Sequence, residues 1–301
     1  MLSDRQRLLL SLLDSLGGSV APTDFQKLLF LYTAEWEQKQ SYEFVPYKFG
    51  CFSFTSYADK RKLAEQGFLS ETAESQDEKW ELSEAGRQEA AKQKPLRERT
   101  SRFARSHAER GNALIRKIYL RHPYYATRSE ILKRVLPTAE ERQKVEAAKP
   151  APQPPGLTTI GYEGRSLEGY LNTLLRDSVT LLCDVRRNPL SRKYGFAKRT
   201  LSNAWERVGI RYEHLPELGI ESDARQDLRT QADYDALFAK YERDSLPRQT
   251  AALGKIRGWI LNDKQRVALT CYEAQPCQCH RHCVAEALET AGIPALTPKH
   301  L

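Results

Sequence analysis

Four prolines fall within the eight residues Lys149–Gly156. Proline fixes φ and lacks an N–H, so such a stretch suits neither a helix interior nor a central strand. It reads as a stiff linker and is the best boundary in the chain. The 301 residues on its two sides suffice for separate domains, and an apolar fraction of 40% can fill their cores. No run approaches the roughly 18 apolar residues of a membrane-spanning helix. The early leucines are interrupted by Ser11 and Asp14 and follow Asp4, Arg5 and Arg7, without a signal-peptide cleavage pattern. The expected compartment is therefore the cytoplasm, with no membrane partner.

Before the linker, Leu8, Leu9, Leu12, Leu13 and Leu16 recur at helical spacing over 4–16 and stop at Gly17-Gly18. Pro22-Thr23-Asp24 opens a second helix that buries Phe25, Leu28, Leu29, Leu31 and Tyr32. Residues Tyr47–Phe54 read as a turn, and a third helix starts at Ser53 and runs to Gly67. Phe68-Leu69, a polar tip at Ser70–Asp77 and Lys79–Leu82 read as a two-stranded wing. This is the winged helix-turn-helix order, expected over 1–92. Residues 93–150 read as a basic helical linker, with twelve basic against five acidic residues over 101–150 in a chain of net charge +8. A clustered basic excess fits nucleic acid, because Lys and Arg displace counterions from phosphates; a solvated helical face is the alternative. The candidate DNA contacts are Lys48, Ser53, Lys60, Arg61, Arg116, Lys117 and Arg121.

After the linker, strand and helix alternate. Strands are expected at Leu157–Ile160, Val179–Cys183, Ile210–His214 and Val267–Cys271. Helices are expected at Leu167–Leu175, Lys198–Val208, Tyr234–Tyr241, Gln249–Leu261 and Cys283–Ala291. This is an α/β pattern with a parallel, helix-covered sheet, and ligands of such sheets bind beyond the carboxyl ends of the strands. Almost every reactive side chain of this half follows a strand. Tyr162 and Glu163 follow the first; Asp184, Arg186, Ser191 and Arg192 follow the second; Glu273, Cys279, His280 and Arg281 follow the last. Arg186, Arg192 and Arg281, with Tyr162 and Ser191, are the candidate phosphate and substrate contacts, since a guanidinium fork matches two anionic oxygens. Asp184, Glu163 and Glu273 are the candidate acids or bases. For Asp184 the alternative is an ion pair with Arg186 or Arg192. Cys279 and His280 sit at a helix start, where a thiolate is favoured; the alternative is packing against the sheet.

Four of the six cysteines lie from Cys271 to Cys283, too local for a disulfide framework. Cys277, Cys279, His280, His282 and Cys283 are dense in ligand types, yet they do not form two separated CxxC pairs, so no metal and no cofactor are expected. A phosphatase loop fails, because six residues before Arg281 stands Gln275. Walker A, GxGxxG and HExxH motifs are absent from the sequence.

Thr159–Glu163, the segment from Asp184-Val185-Arg186 through Pro189 to Ser191-Arg192, and Cys271-Tyr272-Glu273 with Cys279-His280-Arg281 resemble the domain-of-unknown-function 488 family over 157–292. The resemblance implies a prokaryotic α/β domain without a settled reaction. Lys27–Phe30, Phe49-Gly50, Leu63 and Gly67–Leu69 resemble winged-helix segments of prokaryotic antitoxin-like and defence-associated proteins. Together these readings point to a DNA-binding protein that acts hydrolytically on nucleic acid, with glycosidic removal of a modified base as the reaction and prokaryotic defence as the implied setting. The rivals are a winged-helix regulator that senses a small anionic ligand and a toxin–antitoxin-type interaction protein. Pairing into a homodimer is open, although no clean heptad is present.

Overall fold

The computed structural model describes residues 1–70, 79–221, 228–289 and 292–301, the side chains of Asn203, Ala204 and Glu206 excepted. The wing tip expected at Ser70–Asp77 lies, from 71 onward, outside the described residues, as do 290–291 of the expected last helix. The chain forms two compact units, Met1–Lys149 and Pro150–Leu301.

The first unit contains α1 (Asp4–Ser15), β1 (Ser19–Val20), α2 (Pro22–Glu35), β2 (Val45–Tyr47), β3 (Gly50–Phe52) and α3 (Phe54–Glu65). It continues with β4 (Trp80–Glu81), α4 (Glu84–Ala91), α5 (Lys94–Ser106), α6 (Gly111–Arg121), α7 (Leu132–Val135) and α8 (Ala139–Ala147). Local chemistry sets the first boundaries. Ser3 and Gln6 form a capping box at the start of α1, and Gly17 and Gly18 beyond its end have φ of 96° and 83°. Pro22 occupies the first turn of α2, where its missing N–H costs nothing. β1 pairs antiparallel with β4, and Leu69 bridges Leu82. Phe25 of α2 stacks on Trp80 of β4, with centroids 4.4 Å apart.

Two expectations for this unit are corrected. The turn read over Tyr47–Phe54 belongs instead, up to Phe52, to an antiparallel hairpin of residues 45–52, in which Val45 faces Phe52 and Tyr47 faces Gly50. Residues 93–150 are not a linker. Phe103 of α5, Leu114, Ile115, Ile118 and Tyr119 of α6 and Val145 of α8 share one core with the leucines of α1 and α2. The abundant charge of this stretch occupies the outer helical faces and hides a narrow apolar stripe.

The second unit contains β5 (Gly156–Gly161), α9 (Leu167–Arg176), β6 (Leu181–Asp184), α10 (Lys198–Arg207) and β7 (Arg211–His214). It continues with α11 (Gln231–Asp244), α12 (Thr250–Leu261), β8 (Arg266–Cys271), α13 (Arg281–Leu288) and β9 (Lys299–His300). The five strands form one parallel sheet in the order β7-β6-β8-β5-β9. β5, β6 and β8 are buried along their whole length, as strands covered on both faces must be. Leu269 and Cys271 pack in a core with Ile256 and Ile260 of α12 and Val284 and Leu288 of α13. Thr270, between them on the opposite face, accepts a 2.6 Å hydrogen bond from the hydroxyl of Tyr170 on α9. Tyr170 in turn meets Trp205 of α10 edge-on at 5.5 Å. The chain thus leaves β5 and β6 toward one face and β8 toward the other. The carboxyl ends of these three neighbours are where a crevice opens in such a sheet. β9 was not foreseen, because two residues carry no alternation to read.

Among the described residues, no helix is long and apolar enough to cross a membrane.

Candidate functional site

At the end of β6, Asp184 is fully buried and Arg186 is 5% exposed. Arg186 Nε donates to Asp184 Oδ1 at 2.8 Å and Nη2 to Oδ2 at 2.6 Å. The Arg186 backbone N–H adds a bond to Oδ1 at 3.1 Å, and the Tyr212 hydroxyl donates to Oδ2 at 2.7 Å. Arg186 Nη1 reaches the Tyr162 hydroxyl and the Phe196 carbonyl, both at 2.9 Å. Burial alone would lower the Arg186 pKa, but the Asp184 hydrogen bonds and charge outweigh it and raise it. Burial and the same carboxylate push the Tyr212 phenol up. The carboxylate therefore has four donors around its two oxygens. It is the ion-pair alternative that the structure holds: Asp184 is not placed to take a proton, and Arg186 is not offered to a phosphate.

Below this pair, Tyr162 stacks on Phe196 at 4.4 Å with ring planes 8° apart. His214, at the end of β7, donates from Nε2 to the Arg186 carbonyl at 2.9 Å, while Lys198 Nζ lies 3.1 Å from its Nδ1. Tyr212, His214 and Phe196 were not singled out in the sequence. The alternation of Tyr212 and His214 along one strand was the available signal.

Arg281 is 1% exposed and likewise faces inward. Its Nη1 and Nη2 donate to the carbonyls of Glu273 and Ala274, and its Nε has no hydrogen-bond partner among the described residues. It clamps the loop after β8 rather than standing ready for an anion. That loop lies so close to β5 that a Cβ on Gly161 would come within 1.8 Å of the Glu273 carbonyl oxygen. Cys279 and His280 are buried beside it. Burial pushes the Cys279 thiol well up, with Cys271 adding to the rise, so the expected lowered thiol pKa is corrected. Desolvation outweighs whatever the helix start offers.

The groups that do reach solvent form a different set. Glu163 is exposed, and its Oε2 accepts the Ala274 N–H at 2.9 Å. The Tyr272 ring is 44% exposed and meets Tyr162 edge-on at 5.3 Å. Lys193 Nζ donates to the Tyr162 carbonyl at 3.0 Å; burial lowers its pKa while Glu163 opposes that. Ser191 accepts the Lys193 N–H at 3.2 Å, Arg192 is exposed, and Glu273 is half-buried. Residues 166–288 match the family model described as Domain of unknown function DUF488.

The match falls within the second unit.

No curated protein and no solved structure matches the chain. The DUF488 match begins after Glu163, so the exposed carboxylate and Tyr162 come from the loop that follows β5, just ahead of the match. A separate concavity of about 620 Å³ lies in the same unit, lined among others by Arg187, Glu217, Glu221, Asp233 and Lys240. Arg187 pairs with Glu221 at 2.7 Å, and the three acids in this lining make it a poor phosphate site.

In the first unit, most candidate DNA contacts are engaged. Lys48 pairs with Glu130 at 3.3 Å, Lys117 with Glu109 at 2.9 Å and Arg121 with Glu35 at 3.2 Å; Arg116 pairs with Glu141. Ser53 is fully buried and caps α3, accepting the Ser56 N–H at 3.3 Å, so it is no surface contact. Lys60 lies over the Trp80 ring, 5.5 Å from its centroid, and Arg61 is exposed on α3. Within the basic stretch 93–150, cations not named among the candidate contacts are more open. Lys94, Arg102 and Arg105 of α5 are exposed, have no ion-pair partner among the described residues, and line a groove of about 610 Å³ with Glu98 and Arg97. Only Arg97 of these cations is tied, to Asp14 at 2.7 Å.

Proposed function

We propose that the protein binds nucleic acid through its first unit and hydrolyses a bond of that nucleic acid at the carboxyl edge of the DUF488 sheet. The observation that carries the reading is Glu163. Among the candidate carboxylates at this edge, Asp184 is consumed by four donors, whereas Glu163 stands exposed with one backbone bond, the Tyr272 hydroxyl and a neighbouring lysine. A carboxylate so placed activates water or stabilises an oxocarbenium-like sugar, which is the demand of glycosidic base removal. The exposed face of Tyr272 offers a stacking surface for an extruded base, and Arg192 with Lys193 supplies positive charge for the flanking phosphates.

Nucleic acid would be held by α5. Three untied cations on one helical face contact phosphates without sequence preference. The antiparallel β1–β4 pairing with the Leu69–Leu82 bridge is compatible with a winged helix, and Arg61 and Lys62 on the exposed side of α3 would add to its contacts.

The test is product analysis on oligonucleotides with and without modified bases. Wild type is expected to release a free base and leave an abasic site. Glu163→Gln is expected to lose on the order of 10²-fold or more in rate with binding unchanged. No product from any substrate, or equal rates for the variant, would remove the hydrolytic reading; ligand-dependent DNA binding without product would favour the regulator.

A further inference from the structure

We infer that the end of β8 and the start of α13 build a binding site for a thiophilic divalent metal ion of the zinc class, with Cys271, Cys279 and His280 as protein ligands. Nothing in the nucleic-acid reading is needed for this site. The ligand atoms of the three residues lie within 4.8 Å of one another, and all three side chains are buried. His280 Nδ1 is 3.8 Å from Cys271 Sγ. Zinc–sulfur and zinc–nitrogen bonds of about 2.3 and 2.0–2.1 Å at a tetrahedral angle imply a sulfur–nitrogen separation of roughly 3.5 Å, so this pair stands a few tenths of an ångström from the separation a shared ion requires.

The imidazole is oriented for the task. Its Nε2 lies 3.0 Å from the Val185 carbonyl oxygen. A carbonyl oxygen only accepts, so Nε2 carries the proton and Nδ1 presents its lone pair toward Cys271. A ring N–H held by a backbone carbonyl is the usual outer support of a metal-bound histidine. A further donor beside the cluster is Glu273, whose Oε2 accepts from the Cys271 thiol at 3.5 Å.

Counting within Cys277–Cys283 omits Cys271, which ends β8 eight positions before Cys279. The turn at Pro276–Gln278, closed by the Cys279 N–H to the Pro276 carbonyl at 2.9 Å, folds the two cysteines together. Glu242, His282 and Cys283 form a second cluster, but it has one thiol and an exposed acid, so it suits this ion less well.

Binding is written as two thiols and the neutral imidazole taking up M²⁺, with two thiol protons released to solvent and no change of oxidation state. The ion would staple β8 to α13 and, through His280, to the end of β6, at the edge where Glu163 and Tyr272 sit.

The full-length chain, reduced and freed of metal by chelation, is titrated with cobalt(II) and then with zinc. The expected result is uptake of about one ion per chain, a sulfur-to-cobalt charge-transfer band, tetrahedral d–d bands that zinc bleaches, and release of about two protons per ion. Cys271→Ser and Cys279→Ser are expected to lose the charge-transfer band, while Cys277→Ser and Cys283→Ser retain it. Far-ultraviolet circular dichroism checks that each variant is folded. Absence of the band in folded wild-type protein, its retention in Cys271→Ser or Cys279→Ser, or its loss in folded Cys283→Ser would each overturn the assignment. The wild-type titration decides even where a ligand variant fails to fold.

Discussion

Replacing Asp184 by asparagine separates a structural ion pair from a chemical group. Asparagine keeps the shape but removes the charge that Arg186 Nε and Nη2 contact at 2.8 and 2.6 Å. One of its two former acceptor positions becomes an NH₂ aimed at other donors, including the Tyr212 hydroxyl. With Asp184 fully buried and Arg186 5% exposed, little water can compensate. Removing one partner of a buried pair costs about 3–5 kcal/mol. At roughly 2–4 °C per kcal/mol for a unit of this size, the unfolding midpoint of the second unit should fall by about 6–20 °C. Differential scanning calorimetry of the full chain reads this as a displaced transition, with the transition of the first unit unmoved. Asp184→Leu combined with Arg186→Met should recover most of the loss, because a matched apolar pair leaves no buried charge unpaired. A fall of less than about 2 °C for Asp184→Asn, together with lost base release, would refute the reasoning and return Asp184 to chemistry.

Neutralising Lys94, Arg102 and Arg105 together should weaken DNA binding evenly across sequences and reduce the slope of log K against log salt by about 2–3, read by fluorescence anisotropy at several salt concentrations; an unchanged slope would place the DNA elsewhere. For the first unit, burial holds His122 below its ordinary pKa, and Glu35 opposes that shift. The unfolded chain then binds the extra proton first as pH falls, so this stabilisation is complete above about pH 6.5 and is lost as pH drops toward the folded value. His122→Gln should flatten the fall in melting temperature between about pH 6.5 and 5; identical slopes for wild type and variant would exclude His122 as its source.

Local chemistry made much of this molecule legible. Four prolines marked the boundary between units, the glycine pair ended α1, and Pro22 opened α2, because caps and backbone restrictions act over a few residues. Strand–helix alternation implied the parallel sheet, since each fully buried strand needs a helix to return the chain, and it put the reactive side chains at one edge. The sequence alone could not decide which of them face solvent. Asp184 and Arg186 stand two positions apart in either role, and only Tyr162, Phe196 and Tyr212 closing around them turn the pair into a sealed strut. Charge along 93–150 concealed the stripe that sends Phe103 and Ile118 into the core. Cys271 joins Cys279 and His280 only after a turn returns the chain to the end of β8. Periodicity and capping record interactions between near neighbours. Burial, donor saturation and ligand convergence depend on distances between residues far apart in the chain, and those exist once the tertiary fold has formed.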